Sequence, residues 1–397
     1  MSVYLDHAAT APMLPAAIQA YAEAMTVVGN PASIHSAGQN AKRMLEEARE
    51  RVAASVGSDP IEVVFTGSGT ESVNLGIKGL YWARAPRTRI LVPGGEHHAT
   101  VDTVEWLAQQ ENAVVQWIPL DDLGRIDLTA LADAIASNPA DVALVTLLAA
   151  NNEVGTLQPV REVAALAAAH GIPVHVDAIS AYGHVPIDFD ALHRSGVSAL
   201  SVSAHKIGGP VGIGALVLSR TATVVPLIHG GGQQRQVRSG TQDVAAAVSF
   251  AVAATAMTGE LTAENARLRV LRDAVIDGVR AAVPSAVLNG DPDPAGRLPG
   301  NAHFTFPGCE GDSLLFLLDV AGVSVSTGSA CQAGIPEPSH VLQAMGRSEA
   351  EARSALRITL GRTSTQADVD ALISALPAAW EQAIGAGMAD SAPRAYT

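Results

Sequence analysis

The sequence contains very little cysteine. Cys309 and Cys331 are the only two cysteines among 397 residues, which is too few for a disulfide framework. They also lack the Cys-x-x-Cys spacing that is typical of zinc sites. The first residues, MSVYLDHAATAP, have neither the basic segment nor the apolar core of a signal peptide. These absences lead us to expect a protein of the reducing cytoplasm.

Positive charge and long apolar runs are also scarce. The 25 Lys and Arg residues are outnumbered by 39 Asp and Glu, so the net charge is −14, and no run of one sign stands out. Nucleic acids and anionic lipids require clustered Lys and Arg. The longest apolar stretches, such as residues 142–150, are too short to cross a bilayer. We therefore expect no direct nucleic-acid partner and no membrane contact.

Hydrophobic material for a large core is abundant, at 48% of the residues. Short apolar segments alternate with helix-like segments such as residues 160–170, which Gly171 ends. This alternation predicts an α/β fold with a mostly parallel sheet that is covered on both faces. The predicted strands are residues 61–65, 89–93, 114–120, 143–149 and 173–178.

The pattern changes after about Thr241, and 397 residues exceed what one compact core usually supports. We predict a long Ala-rich helix to about Val283, and then fewer, mixed or antiparallel strands. This predicts a large domain over residues 1–250 and a smaller α+β domain over residues 251–397. The N-terminal segment is expected to pack against the small domain, and residues 389–397 to be disordered.

Lys206 lies in the stretch SVSAHKIGGP, between a predicted strand and a Gly-Pro turn. A lysine at a strand end suits a Schiff base, in which a neutral amine reaches an aldehyde, although a solvated loop lysine is the commoner case. Ser203 and His205 beside it offer donors to a phosphate. The glycines that follow precede a strand and do not fit GxGxxG, which argues against a dinucleotide site.

Three further stretches favour the same chemistry, each with a structural alternative. In TGSGTES, Thr70 and the backbone at a helix start suit a phosphate, or simply form a helix cap. Asp177 ends a buried strand, where a carboxylate needs a cation such as a pyridinium nitrogen. The structural alternative is that Asp177 is the N-cap of the next element. Cys331 lies in STGSACQAG, where small residues leave a thiol accessible, or is a buried inert cysteine.

Together and in this order, these stretches resemble the cysteine desulfurases of the NifS/IscS-like group, within the class-V aminotransferases. The resemblance covers nearly the whole chain, through YLDHAAT, GNPASIH, EHHATVDTVEWL, AANNEVGTLQP, SAHK, RSGTQD, STGSAC, EPSHVL and LRITLGRTST. It implies a pyridoxal-phosphate-dependent transferase of fold type I. The implied reaction takes sulfur from L-cysteine and leaves L-alanine and a persulfide.

The resemblance assigns catalytic roles residue by residue. Lys206 is implied to hold the cofactor as a Schiff base, and Asp177 to pair with the ring nitrogen and keep it protonated. His97 is implied to stack on the ring and to move protons, whereas His98 has no such role. Cys331 is implied to attack the sulfur of the substrate and become a persulfide.

The remaining implied roles concern binding. The phosphate is implied to be held by Gly69, Thr70, Ser203 and His205, with Thr241 supplied by a neighbouring subunit of a homodimer. The substrate carboxylate is assigned to Asn152 and to the fork of Arg357, and Asn152 also lies at the cofactor. Ser180 departs from the family, because a Gln usually stands there and donates to the ring oxygen of the cofactor. No protein metal site is implied, although Cys331 is a candidate for a transient iron–sulfur ligand.

The length of the stretch QAGIP before EPSHVL is that of the long-loop, housekeeping group. Its members pass sulfur to iron–sulfur scaffold proteins and to tRNA-thiolating enzymes. The alternatives are a selenocysteine lyase, another class-V lyase or transaminase, and a non-enzymatic scaffold that binds sulfur-carrier proteins. Transamination needs no thiol, so Cys331 argues against it. Lys206, Asp177, His97 and Cys331 together argue against the scaffold.

Overall fold

The computed structural model of the protein describes residues 3–328 and 337–385. Within these residues the chain forms twelve β-strands and twelve α-helices. The strands are β1 (Val3–Tyr4), β2 (Val63–Thr66), β3 (Arg89–Pro93), β4 (Val114–Ile118), β5 (Val142–Leu148), β6 (Val174–Asp177), β7 (Val197–Ser203), β8 (Gly214–Leu218), β9 (Val287–Leu288), β10 (Asn301–Thr305), β11 (Val323–Ser324) and β12 (Ala355–Thr359). The helices are α1 (Pro15–Met25), α2 (Ser36–Val56), α3 (Gly69–Trp82), α4 (His98–Glu111), α5 (Leu128–Ser137), α6 (Val160–Ala168), α7 (Phe189–Ser195), α8 (Val244–Ala282), α9 (Gly311–Val320), α10 (His340–Ala344), α11 (Glu349–Arg353) and α12 (Gln366–Gly385).

The large sheet has seven strands in the order β2-β8-β7-β6-β5-β3-β4. Neighbouring strands from β7 to β4 are parallel, while β2 and β8 are antiparallel to their neighbours. Every residue of β5 is buried. Leu144 packs in one core cluster, whereas Val145 and Leu147 pack in another. The predicted mostly parallel sheet, covered on both faces, is therefore confirmed.

The carboxyl ends of three adjacent parallel strands bring candidate residues to one edge of this sheet. Asp177 is the last residue of β6, and Lys206 ends the short 3-10 helix that follows β7 directly. Asn152 follows β5. Open α/β sheets bind ligands outside the carboxyl ends of their strands, where the chain leaves in different directions. The topology therefore positions all three residues for one site.

A smaller sheet lies beside the large one, with β10 between β9 and β12 and both pairs antiparallel. Helices α8 and α9 contact it, and Leu372 of α12 lies with Phe304 and Leu356 in one fully buried core cluster. The N-terminal strand β1 pairs in parallel with β11. This is the mixed, smaller α+β part that the fold class predicted. The predicted division at residue 250 stays a prediction, because α8 runs through that point.

Helix α8 corrects one expectation from the sequence. By length and composition it is long and apolar enough to cross a bilayer, with a mean hydropathy of 1.5 over its most apolar window. The expectation that every apolar stretch is too short is therefore wrong. Half of that window is buried inside the protein, where α8 packs along α1 and α2. This packing is what a core helix makes, and the expected lack of membrane contact stays a prediction.

Candidate active site

The side chain of Lys206 is half-buried and bonded to the backbone, and is not that of a freely solvated loop lysine. Its Nζ donates to the backbone oxygens of Ala8 and Ala9, at 2.5 and 2.9 Å. Burial and the nearby Arg357 lower the pKa of Lys206 to about 8, while Asp177 acts in the opposite direction. A lower pKa leaves more of the amine neutral at physiological pH. This is the form that a Schiff-base lysine requires.

Asp177 is almost completely buried, with 2% of its surface exposed. Its Oδ1 accepts a hydrogen bond of 2.9 Å from the backbone N–H of Ile179. Burial raises the pKa of Asp177 to about 6, whereas that N–H and Lys206 lower it. A buried carboxylate is costly unless it meets a cation. A protonated ring nitrogen is such a cation, so the carboxylate fits the pyridine end of the predicted cofactor.

His97 is the N-cap of α4, and its Nδ1 accepts a hydrogen bond of 3.0 Å from the backbone N–H of Ala99. The helix cap therefore occupies the Nδ1 lone pair and places the proton of the neutral ring on Nε2. Although part of His97 is exposed, desolvation of its ring and then Lys206 lower the pKa of His97 to about 4. The ring is neutral at physiological pH. It can stack and donate from Nε2, but it accepts a proton only if the bond to Ala99 is released.

The start of α3 forms the other end of the site. A Cβ atom on Gly69 would lie 2.5 Å from Cδ1 of Ile179 and 3.1 Å from Cβ of Ser203, so a glycine lets the helix approach the end of β7. The first N–H groups of a helix have no partners inside the helix and attract anions. Thr70 is exposed in the same turn. The close approach at Gly69 and the open turn fit a phosphate.

Further contacts at this end of the site were not predicted from the sequence. Glu71 accepts from Arg238 at 2.8 Å, and this ion pair balances a carboxylate that would otherwise repel an anion. The Nδ1 of His205 lies 3.3 Å from the hydroxyl of Thr10, in the N-terminal segment. Desolvation, with Lys206, lowers the pKa of His205 to about 4. A neutral imidazole contacts a phosphate through a hydrogen bond and not through its charge.

Arg357 and Asn152 lie together. Arg357 is 5% exposed, and its Nη1 donates to the backbone oxygen of Asn152 at 2.8 Å. Its Nη2 donates to Oδ1 of Asp6 at 2.9 Å. Within the described residues, the Arg357 Nε and the Asn152 Oδ1 are buried without a hydrogen-bond partner. These two atoms are therefore free to form hydrogen bonds with a ligand, while Asp6 holds the guanidinium of Arg357 in place.

Two predicted site residues, Thr241 and Cys331, have no described contact with the residues above. Thr241 is exposed just before α8, and its predicted contact with a neighbouring subunit stays a prediction. Cys331 and residues 332–336 lie outside the described residues. Across residues 3–328 and 337–385, no group of three or more His, Cys, Asp or Glu side chains is placed to hold a metal ion.

Cys309 is the cysteine that the structure describes. Its side chain is 2% exposed, and its Sγ donates to the backbone oxygen of Phe306 at 3.3 Å. Burial, with Glu310, raises the pKa of Cys309 to about 11. The thiolate is the reactive form of cysteine, so this thiol is inert at neutral pH.

Sequence reasoning used YLDHAAT only as a family marker, and the structure shows that this segment lines the site. Asp6 holds Arg357, while Ala8 and Ala9 accept from Lys206. The only signal in the sequence was a polar, small-residue stretch directly after a short apolar strand, which is too common to indicate a site. The contacts themselves depend on the parallel pairing of β1 with β11.

Comparison with known proteins agrees with this geometry. The family model described as Aminotransferase class-V matches residues 3–372. The chain is 53% identical over 390 residues to the IscS-like cysteine desulfurase of Mycobacterium tuberculosis, covering 97% of this chain and 98% of that relative.

Solved structures give the same result. The NifS-like protein from Rickettsia africae superimposes with a TM-score of 0.86 at 30% identity, covering 96% of this chain and all of that one. A structure described as SspA in complex with cysteine has a TM-score of 0.79 at 31% identity, covering 92% of this chain and 100% of that one.

The fold and the match over nearly the whole chain define a class-V aminotransferase of the pyridoxal-phosphate-dependent fold type I. Within that class, the chain belongs to the cysteine desulfurases of the IscS and NifS type.

Proposed function

We propose that this protein removes sulfur from L-cysteine, with pyridoxal phosphate bound at Lys206 and the sulfur accepted by Cys331. The observation that carries the proposal is the half-buried Lys206 amine, whose pKa is lowered to about 8 beside the buried carboxylate of Asp177. An amine and a carboxylate in this arrangement suit the two ends of a pyridoxal ring. The match to SspA bound to cysteine supports the substrate.

The chain's own residues would hold the cofactor at three points. Lys206 would hold its aldehyde carbon, Asp177 its ring nitrogen, and the turn at Gly69 its phosphate. His97 would cover the ring face with a neutral imidazole. When bound, the cofactor supplies an electron sink that weakens the bonds around the substrate Cα.

Sulfur transfer balances between L-cysteine and one thiol of the protein. The thiolate of Cys331 attacks the substrate sulfur, the bond between that sulfur and Cβ breaks, and Cβ gains a proton. The products are L-alanine and the Cys331 persulfide. No external oxidant or reductant is needed. The role of Cys331 rests on the sequence resemblance.

The direct test is to incubate the purified holoprotein with L-cysteine and to measure alanine and protein-bound sulfur. We expect one alanine for each sulfur atom transferred. A transaminase would give 3-mercaptopyruvate, the keto acid of cysteine, and a scaffold would give no product. A parallel reaction with selenocysteine distinguishes a cysteine desulfurase from a selenocysteine lyase. The lyase would turn over selenocysteine and leave cysteine unchanged.

Arg357 would hold the substrate carboxylate. We expect Arg357→Ala to raise the KM for L-cysteine at least about tenfold, because a charge-assisted hydrogen bond contributes roughly 1.5–3 kcal/mol. Arg357→Lys keeps the charge that Asp6 requires but loses the fork, so its KM should lie between those of the native protein and the Ala variant.

Cysteamine, which lacks the carboxylate, separates binding from structural damage. The native protein should use it poorly, and Arg357→Ala should narrow the preference for cysteine over cysteamine. Initial rates with both substrates measure that preference. Equal turnover of the two substrates by the native protein would contradict the assignment.

The protein would work as a homodimer in which Thr241 of one subunit completes the phosphate site of the other. A test mixes Lys206→Ala chains with Thr241→Asp chains, each of which lacks a working site. If Thr241 acts across subunits, a mixed dimer contains one native site, and up to about one quarter of the native activity returns. If Thr241 acts in its own chain, mixing restores nothing. Sedimentation of the native protein measures the dimer directly.

The sulfur would pass from Cys331 to acceptor proteins for iron–sulfur cluster assembly and for tRNA thiolation, in the cytoplasm. The names of the relatives support sulfur mobilisation. The acceptors are proposed from the sequence resemblance, and the cytoplasm is proposed from the features of the sequence described above. Labelled L-cysteine, followed by mass spectrometry of candidate acceptors, would identify which of them receives the sulfur.

A further inference from the structure

A small cavity lies beside Lys206, and Ser180 lines it. Its volume is about 30 Å³. The polar residues of its lining include His7, Asn152 and His184. A cavity of this size has room for at least one water molecule, which needs two to four polar partners.

Four buried polar atoms in this lining have no hydrogen-bond partner within the part of the chain that is described. They are the Nδ1 of His7, the Oδ1 of Asn152, the Nδ1 of His184 and the Oδ1 of Asn301. Buried polar atoms nearly always have a partner, either in the protein or in an ordered water. Because the four residues line one cavity, one water can satisfy more than one of these atoms.

His184 is held from outside the cavity. Its backbone oxygen accepts a hydrogen bond of 2.7 Å from the side chain of Asn265 on α8. Desolvation lowers the pKa of His184 to about 4; His7 acts in the same direction and Glu264 of α8 in the opposite one. Lys206 lines the same cavity. His184 is therefore a neutral ring with one N–H to donate.

The chemistry of the cofactor explains why a polar cavity belongs on this side. In pyridoxal phosphate, the aldehyde carbon that a lysine amine attacks is adjacent to the ring hydroxyl. In the bound cofactor the ring oxygen would therefore lie close to the nitrogen of Lys206, a residue that lines the cavity. Ser180 stands where the resembled family has a longer Gln donor, and its hydroxyl is too short to replace that side chain.

We propose that this cavity is a water site, in which His184, with Asn152 and His7, holds a water that donates to the ring oxygen of the cofactor. His184 is then a positioning residue that acts through the water. The inference rests on the proposed function, because it requires the cofactor at Lys206.

The test is a pH titration of the visible absorption band of the bound cofactor. A hydrogen-bond donor to the ring oxygen stabilises the negative charge of that oxygen. It therefore lowers the pKa of the proton on the Schiff-base nitrogen of Lys206, whose loss changes the absorption band. We expect His184→Ala to raise the midpoint by about 0.5–1 pH unit, from the typical size of one hydrogen bond. His184→Gln keeps a donor and should titrate near the native midpoint.

Ser180→Gln separates a water site from a general effect of the imidazole. The longer side chain should displace the water and donate directly, so its midpoint should remain near that of the native protein. His184→Ala should then cause no shift in the Ser180→Gln background. His170→Ala, at an exposed histidine after α6, is the matched control and should leave the midpoint unchanged.

Three results would overturn the inference. They are a native midpoint in His184→Ala, an equal shift by His184→Ala in both backgrounds, or a fall of about one pH unit in Ser180→Gln, which would show that the native protein lacks a donor. If His184→Ala does not fold, the Ser180→Gln and His184→Gln midpoints still decide. A native protein without a Lys206-dependent band would instead refute the proposed function.

Discussion

Lys206→Ala is expected to remove the visible absorption band of the bound cofactor and to lower turnover of L-cysteine by about a thousandfold or more. Among the described residues, Lys206 supplies an amine beside Asp177, and its lowered pKa keeps part of that amine neutral. Alanine lacks the nitrogen, and the carbonyls of Ala8 and Ala9 cannot replace it. Absorption spectra and alanine production measure both effects.

The chain offers matched controls, because it contains only three lysines. Lys42 is exposed on α2, and Lys78 lies 3.9 Å from the ring centroid of Trp106, which fixes it away from the site. Lys42→Ala and Lys78→Ala should both retain the band. Borohydride reduction followed by peptide mapping should place the cofactor on Lys206. A band that survives Lys206→Ala, together with alanine production, would show that another group holds the cofactor.

Cys331→Ser is expected to retain cofactor and substrate binding while alanine formation falls by about a hundredfold or more. A thiolate is a strong nucleophile, whereas a serine hydroxyl stays protonated at neutral pH and is a far weaker one. The midpoint and intensity of the cofactor band should match the native protein. Substrate-induced spectral changes and alanine production separate binding from transfer.

Cys309→Ser is the control for that experiment. The Cys309 thiol is buried, donates to Phe306, and has a pKa raised to about 11, so it should carry no sulfur. The variant should keep at least most of the native turnover. Mass spectrometry after brief exposure to L-cysteine should find the added sulfur on Cys331. Added sulfur on Cys309 would reverse the assignment of the two cysteines.

The sequence was sufficient to predict the strand ends that build the centre of the site. Asp177 ends a short apolar run and Lys206 follows another, and parallel strands bring such ends to one edge. The structure confirms the sheet that makes this inference work. A short stretch of sequence is enough for this prediction, because both the burial of a strand and the position of its end follow from consecutive residues.

Other contacts could not be predicted in this way. Asp6 and Arg357 are 351 positions apart, and no local pattern links them. The hydrogen bond from Ala99 to Nδ1 of His97 depends on the orientation of one ring, which decides whether that ring can accept a proton. The extent of α8 was predicted closely from its Ala-rich composition, whereas its apolar character was underestimated.

The role of the N-terminal segment has a consequence for biosynthesis. Asp6 leaves the ribosome 351 residues before its partner Arg357 on β12, and β1 leaves it long before its partner β11. Contacts between such distant positions form slowly, because a long stretch of chain must close first. A nascent chain therefore has a lysine and an aspartate at the edge of its sheet long before Arg357 exists. The part of the site that would bind the substrate carboxylate is therefore completed only after Arg357 has been made.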